Sequence, residues 1–177
     1  MSAKRDIWIG PPEIAARGAI DEGWFDDEHL NRLMGHGKGE VGCTKAVEHL
    51  ADALKLDSPY HKLLGIYCGT EPVGLFWVEY KGDNRRTAEV HLTASNKSPM
   101  RRAFIEAGTQ LMNRLFSNGV YRIEVEPLRI NRQMIKLLRH GGFKQEGIKR
   151  SAFWMDNNDY DTVLLRMLRR EWTRKEN

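Results

Sequence analysis

The feature that most constrains this chain is a change of hydrophobic period near residue 63. Before it, apolar residues recur at helical spacing. Thr44 can cap a helix whose Ala46, Val47, Leu50, Ala53 and Leu54 fall on one face. After it, the spacing shortens to two. Residues 63–68 and 73–80 read as strands rich in β-branched and aromatic side chains, joined by the turn Gly69-Thr70-Glu71-Pro72. Residues 87–94 alternate Ala88, Val90, Leu92 and Ala94 with polar neighbours, the mark of a half-buried strand. Lys81-Gly82-Asp83-Asn84 reads as the turn before it. Three successive strands on short turns predict an antiparallel meander.

The helical period then returns. Residues 103–117 place Phe104, Ala107, Leu111 and Leu115 on one face, and Asn118-Gly119 supplies a left-handed stop. A strand over 120–126 follows, then a helix over 131–140 ended by Gly141-Gly142. Residues 143–147, 151–156 and 161–168 are short strand candidates. At the front, Pro11-Pro12-Glu13 suits a helix's first turn, with Ile14, Ala15, Ile20, Trp24 and Phe25 after it. Asp26 or Asp27 can cap another helix over 28–34. The order is helices, three strands, helix, strand, helix, strands, which predicts a mixed α/β (α+β) layer.

At 177 residues the chain is long enough for one domain, about 150 residues being typical. No linker or repeat divides it, so residues 1–177 are read as one unit with a helical part over 1–62. Hydrophobic residues at 41% and charged residues at 29% exclude wholesale disorder and a disulfide-stapled miniprotein. No apolar run approaches the ~18 residues of a membrane span, and the polar first six residues do not resemble a secretory signal. Cys43 and Cys68 form no C-x-x-C, and both read as reduced thiols in a cytoplasmic compartment. His36, His49, His61 and His140 have no metal-ligand spacing. The net charge of +4 divides into −4 over residues 1–95 (11 Lys+Arg, 15 Asp+Glu) and +8 over 96–177 (17 and 9). Such asymmetry can steer an anionic ligand to the second half. Basic and acidic residues are interspersed there, which argues against nucleic acid as the partner.

From about residue 63 to 172 the chain resembles the GNAT superfamily of acyl-CoA-dependent N-acetyltransferases, particularly its ribosomal-protein-alanine branch. The marks are an ordered set. Glu106-Ala107 lies in a helix that runs to Phe116, followed by Gly119 and Arg122-Ile123 on a strand. Asn131 opens a helix that ends in Gly142-Phe143, followed by Glu146-Gly147. Arg150 to Trp154, Asp156, Asp161, Val163-Leu164 and the closing Leu168-Arg169-Arg170-Glu171-Trp172 complete it. The resemblance implies a GNAT-like, mostly antiparallel central sheet covered by helices on both faces. It also implies that the sheet splays between the strands at 87–94 and 120–126, and that acetyl-CoA lies in the opening. By the same resemblance, Asn131 would bond to the cofactor arm; its position alone also fits a helix N-cap.

The sequence departs from the family at the phosphate-binding loop. The family's Arg/Gln-x-x-Gly-x-Gly/Ala falls on Pro99, Arg102 and Phe104, and residues 95–107 contain no glycine. Side chains of Lys97, Arg101 and Arg102 are the remaining candidates to hold phosphates. The positions at which the family places a proton donor hold Met134 and Leu138, and neither side chain can donate. Candidate bases remain: Glu89 and His91, which alternation puts on one face of their strand, and Glu124 with Glu126 on the next. Two functions follow. One is an N-acetyltransferase acting on a protein or small-molecule amine. The other is a catalytically silent GNAT-fold module that self-associates or holds a protein partner, for example in a tailed-phage virion.

Overall fold

The computed structural model describes residues 6–21, 58–95, 100–155 and 158–172. In chain order the elements are β1 (Ile7–Gly10), α1 (Pro12–Asp21), β2 (His61–Cys68), β3 (Glu71–Lys81), β4 (Thr87–Ala94) and α2 (Met100–Ser117). β5 (Arg122–Val125), α3 (Arg132–His140), β6 (Lys144–Met155), β7 (Asn158–Leu168) and α4 (Arg169–Trp172) complete them. The expected helices over 28–34 and after Thr44 lie outside the described residues, as does Cys43.

The strands form one sheet in the order β1-β2-β3-β4-β5-β7-β6. Every neighbouring pair is antiparallel except β4 and β5. A parallel pair needs a crossover, and α2 supplies it. One face of the sheet packs on α2: Leu64, Ile66, Phe76, Val78, Ala88, Val90, Ile123 and Met167 share a buried cluster with Ala103, Ala107, Leu111 and Leu115. α1 covers the other face at β2 and β3, with Ala15, Ala16 and Ala19 fully buried. Gly65, between Leu64 and Ile66, turns to that second face, where a Cβ would lie 2.8 Å from the Pro11 carbonyl oxygen. Helices on both faces of a mostly antiparallel sheet is the expected arrangement.

Helix boundaries follow their caps. Gly119 (φ +92) stops α2, and Val120 N–H donates to Leu115 O at 3.1 Å. Asn131 Oδ1 accepts from Met134 N–H at 3.1 Å and caps α3. Gly142 (φ +95) closes the other end, with Phe143 N–H on Leu138 O at 3.0 Å.

Three expectations need correction. The polar start and Pro-Pro signal hid β1, a four-residue edge strand whose pairing with β2 is a tertiary contact. Its outer edge is closed by Gln110 of α2, which accepts from Ile9 N–H (3.1 Å) and donates to Ile7 O (2.6 Å). The three short strands after residue 143 are two long ones. The break expected near Ser151 is a bulge inside β6, with the register shifting between Lys149 and Phe153 and Ser151 at φ +47. Lys81 is the last residue of β3, paired with Thr87, and not part of the turn.

Candidate functional site

The register of β4 with β5 covers Thr87↔Arg122, Ala88↔Ile123 and Glu89↔Glu124, and stops there. β4 continues from Val90 to Ala94 with no β5 partner among the described residues. The two strands therefore part just past a pair of glutamates. On the face away from α2, Glu89 and Glu124 sit side by side, and Glu79 of β3 is in register with Glu89. Three carboxylates in one cross-strand row repel unless cations separate them.

Lys81 and Arg122 are those cations. Lys81 Nζ lies 2.5 Å from Glu89 Oε2 and 3.1 Å from Glu124 Oε2, bridging the two strands at the vertex. Arg122 Nε donates to Glu124 Oε1 at 2.6 Å, and its other nitrogens hold Glu146 of β6. Glu146 also accepts from Arg166 Nε (2.7 Å) of β7; Arg166 reaches Glu171 of α4, which accepts from Lys144 Nζ (2.7 Å). An alternating chain of charge thus crosses β3 to β6 on this face. Just beyond the vertex, Glu126 is paired with Lys149.

Titration behaviour follows these partners. Burial pushes the Glu124 carboxyl up, but hydrogen bonds and charge from Arg122 and Lys81 outweigh it and hold it below the usual range. Hydrogen bonds from Arg122 and Arg166 hold Glu146 down to about 2. Burial lowers Lys81, and its two glutamate contacts more than reverse this, so its ammonium is reinforced. Glu124 is consequently a poor proton acceptor near neutral pH.

Glu89 turns its second oxygen towards His91. Its Oε1 lies 3.6 Å from His91 Nε2, and Glu79 Oε1 lies 3.9 Å from the same nitrogen. The side chain of Glu89 is 15% exposed and that of His91 51%. Alternation on β4 does bring these two together, and the β4–β5 register brings in Glu124. Trp77, in register with His91, presents an edge to His61 at 6.2 Å. Its Nε1 is buried with no hydrogen-bond partner among the described residues.

Lys97 lies outside the described residues. Arg101 and Arg102 lie in the first turn of α2, and their side chains are not among those described. Asn131 spends Oδ1 on its cap, leaving the amide Nδ2 to donate elsewhere. Leu138 packs against Ile135, Val163 and Leu165, so one expected donor position belongs to the core. Phe76 and Tyr80 pack towards α2. Trp172 packs on Phe116 and donates to Asn113 Oδ1 at 2.5 Å; the Trp154 side chain is not described. The sequence reading missed Lys81, assigned to a turn, and gave no role to Glu79 or to the side chain of Arg122. Its signal was the i, i+2 recurrence Arg122, Glu124, Glu126 on one face of a strand. No metal-binding cluster is found among the described residues, nor any helix long and apolar enough to cross a membrane.

No protein-family model and no curated protein sequence matches the chain. Solved structures do. A probable GNAT-family acetyltransferase from Chromobacterium violaceum superposes over 90% of this chain and 86% of its own, at 22% identity and a TM-score of 0.71. The chain has the GNAT fold. An acetyltransferase from Salmonella typhimurium that modifies the N-terminal serine of a 50S ribosomal subunit protein matches over 94% of this chain and 96% of its own (14% identity, TM-score 0.77). Spermidine N-acetyltransferase from Vibrio cholerae, solved with CoA and spermine, matches over 97% and 99% (13% identity, TM-score 0.73). These superpositions span 90% to 97% of the chain, more than the stretch from about 63 to 172 that carries the sequence resemblance.

Proposed function

We propose that this protein transfers an acetyl group from acetyl-CoA to a primary amine at the opening between β4 and β5. The observation that carries the reading is the end of the β4–β5 register at Glu89↔Glu124, which sets Glu89 and His91 at the mouth of the opening. The solved GNAT structures that it resembles include enzymes acting on a protein and on a polyamine, and they support an amine as the acceptor class.

The chain fits the donor in part. The edge of β4 from Val90 to Ala94 has backbone N–H and C=O groups without a β5 partner, which suits an extended, amide-bearing arm. Asn131 Nδ2, at the start of α3, is a further donor. Phosphates would be held by Lys97, Arg101 and Arg102, since the glycines that allow close backbone approach are missing. When bound, the thioester supplies an electrophilic carbonyl: the amine nitrogen bonds to its carbon, the C–S bond breaks, and the electron pair leaves on sulfur.

The protein's part is to take the amine's proton. Glu89, with its Oε1 3.6 Å from His91 Nε2, and His91 itself are the groups placed to accept it, directly or through water. Met134 and Leu138 cannot protonate the departing thiolate, so that proton comes from water; a missing general acid costs about 10²–10⁴ in rate.

Calorimetric titration with acetyl-CoA, followed by thiol release with a panel of peptide and polyamine acceptors, tests this. Binding tighter than roughly 100 μM, about −5.5 kcal/mol, with amine-dependent thiol release, upholds it. No heat at several temperatures and no thermal stabilisation would overturn it and leave the silent, partner-holding module.

A further inference from the structure

Among the described residues the Lys81 ammonium is the one group that touches both carboxylates at the vertex, 2.5 Å from Glu89 and 3.1 Å from Glu124. It reaches them from the end of β3, two positions past Glu79. We propose that Lys81 is a positioning residue that pins Glu89 Oε2, turns Glu89 Oε1 to His91, and so makes the Glu89–His91 pair the proton acceptor of the opening while Glu124 serves as support.

The argument is one of partner geometry. Glu124 has both oxygens engaged, Oε1 by Arg122 and Oε2 by Lys81. Glu89 has one oxygen on Lys81 and the other 3.6 Å from the imidazole. Without Lys81, Glu89 and Glu124 would face each other in register with only Arg122, itself shared with Glu146, to offset them. Glu89 would then swing away from Glu124 and lose its orientation towards His91. Among the described residues, the titratable and charged groups on the strands around His91 are His61 from β2, Glu79 and Lys81 from β3, Glu89 from β4, and Glu124 with Arg122 from β5. Removing Lys81 deletes the cation that Glu89 and Glu124 share and leaves Arg122 to offset the carboxylates of Glu79, Glu89 and Glu124. At the effective dielectric of a half-exposed site, a unit charge several Å away moves an imidazole by roughly half a pH unit or more. The inference rests on the acyl-transfer reading for its chemistry, but its geometry is testable without a substrate.

The experiment is an NMR titration of the His91 imidazole in the full-length wild type, Lys81→Met and Lys81→Arg, with circular dichroism confirming the fold of each. The His91 midpoint should rise by roughly half a unit in Lys81→Met and return in Lys81→Arg. In acetyl-CoA-dependent acetylation, Lys81→Met should lower kcat at least tenfold with little change in the KM for acetyl-CoA, and Lys81→Arg should restore most of it. A His91 midpoint that is the same in all three proteins overturns the proposal. A wild type that transfers no acetyl group, yet shows the Lys81-dependent midpoint, defeats the acyl-transfer reading and leaves the positioning of Glu89 and His91 upheld.

Discussion

The two faces of β4 and β5 differ completely, although they alternate along the same few residues. Towards α2 lie Ala88, Val90 and Ile123, all nearly inaccessible to water. Away from α2 lie Glu89, Arg122 and Glu124, joined by ion pairs among themselves and with Lys81, and His91 beside Glu89. The first face gains stability from apolar burial, about 25 cal/mol per Å². The second gains little, since partly exposed ion pairs contribute about 0–1 kcal/mol each. A charge network of low net worth, placed where two parallel strands part, is better explained by what it holds in position than by what it stabilises.

The sharpest test of that contrast is on the apolar face. Ile123→Ala removes a fully buried side chain at the centre of the main cluster, and chemical denaturation should show a loss of about 2–5 kcal/mol. On the charged face, Arg122→Met leaves Glu124 and Glu146 without their shared cation. Its cost should be smaller, roughly 1–2 kcal/mol, between the values for exposed and buried pairs. An Arg122→Met protein as unstable as Ile123→Ala would break the comparison.

The same face should dominate the acid response. Glu124 and Glu146 are held below the ordinary carboxylate value of 4.5, so their contribution is complete above it. That contribution is lost as pH falls towards the folded values, about 2 for Glu146. The melting temperature should fall between about pH 5 and 2, with a shallower slope in Arg122→Met. An identical slope in the two proteins would remove Arg122 as the cause.

Asn131→Ala should lose about 1 kcal/mol through its cap. Asn131→Asp keeps the capping oxygen but has no amide to donate, so stability close to wild type with weaker acetyl-CoA binding would separate the two roles. The smallest effect is expected at the far end of the charge chain. Lys144→Met, at an exposed lysine, should stay within about 0.5 kcal/mol of wild type.

Much of the fold was legible because its signals are local. The alternation of Ala88, Val90, Leu92 and Ala94 needs only one strand to be read, and the buried stripe of α2 needs one helix. Asn118-Gly119 and Gly141-Gly142 announce helix ends through backbone freedom alone, and φ at Gly119 and Gly142 is positive. β1 was invisible because four residues carry too little periodicity, and what makes them a strand is β2. Residues 148–150 read as a gap between two strands because a bulge in a long hairpin has the same local composition as a turn.

The candidate site divides the same way. That Glu89 and His91 share a face, and that Arg122, Glu124 and Glu126 share another, follows from the two-residue period of a strand. That these faces coincide, that the register stops at Glu89↔Glu124, and that Lys81 closes the vertex between them are matters of pairing between residues on different strands. The chain alone determines which side chains each strand presents, because alternation is a property of the local backbone. Only the tertiary structure decides which of them meet, because strand order, register and the point where two strands part are set by packing across the whole sheet.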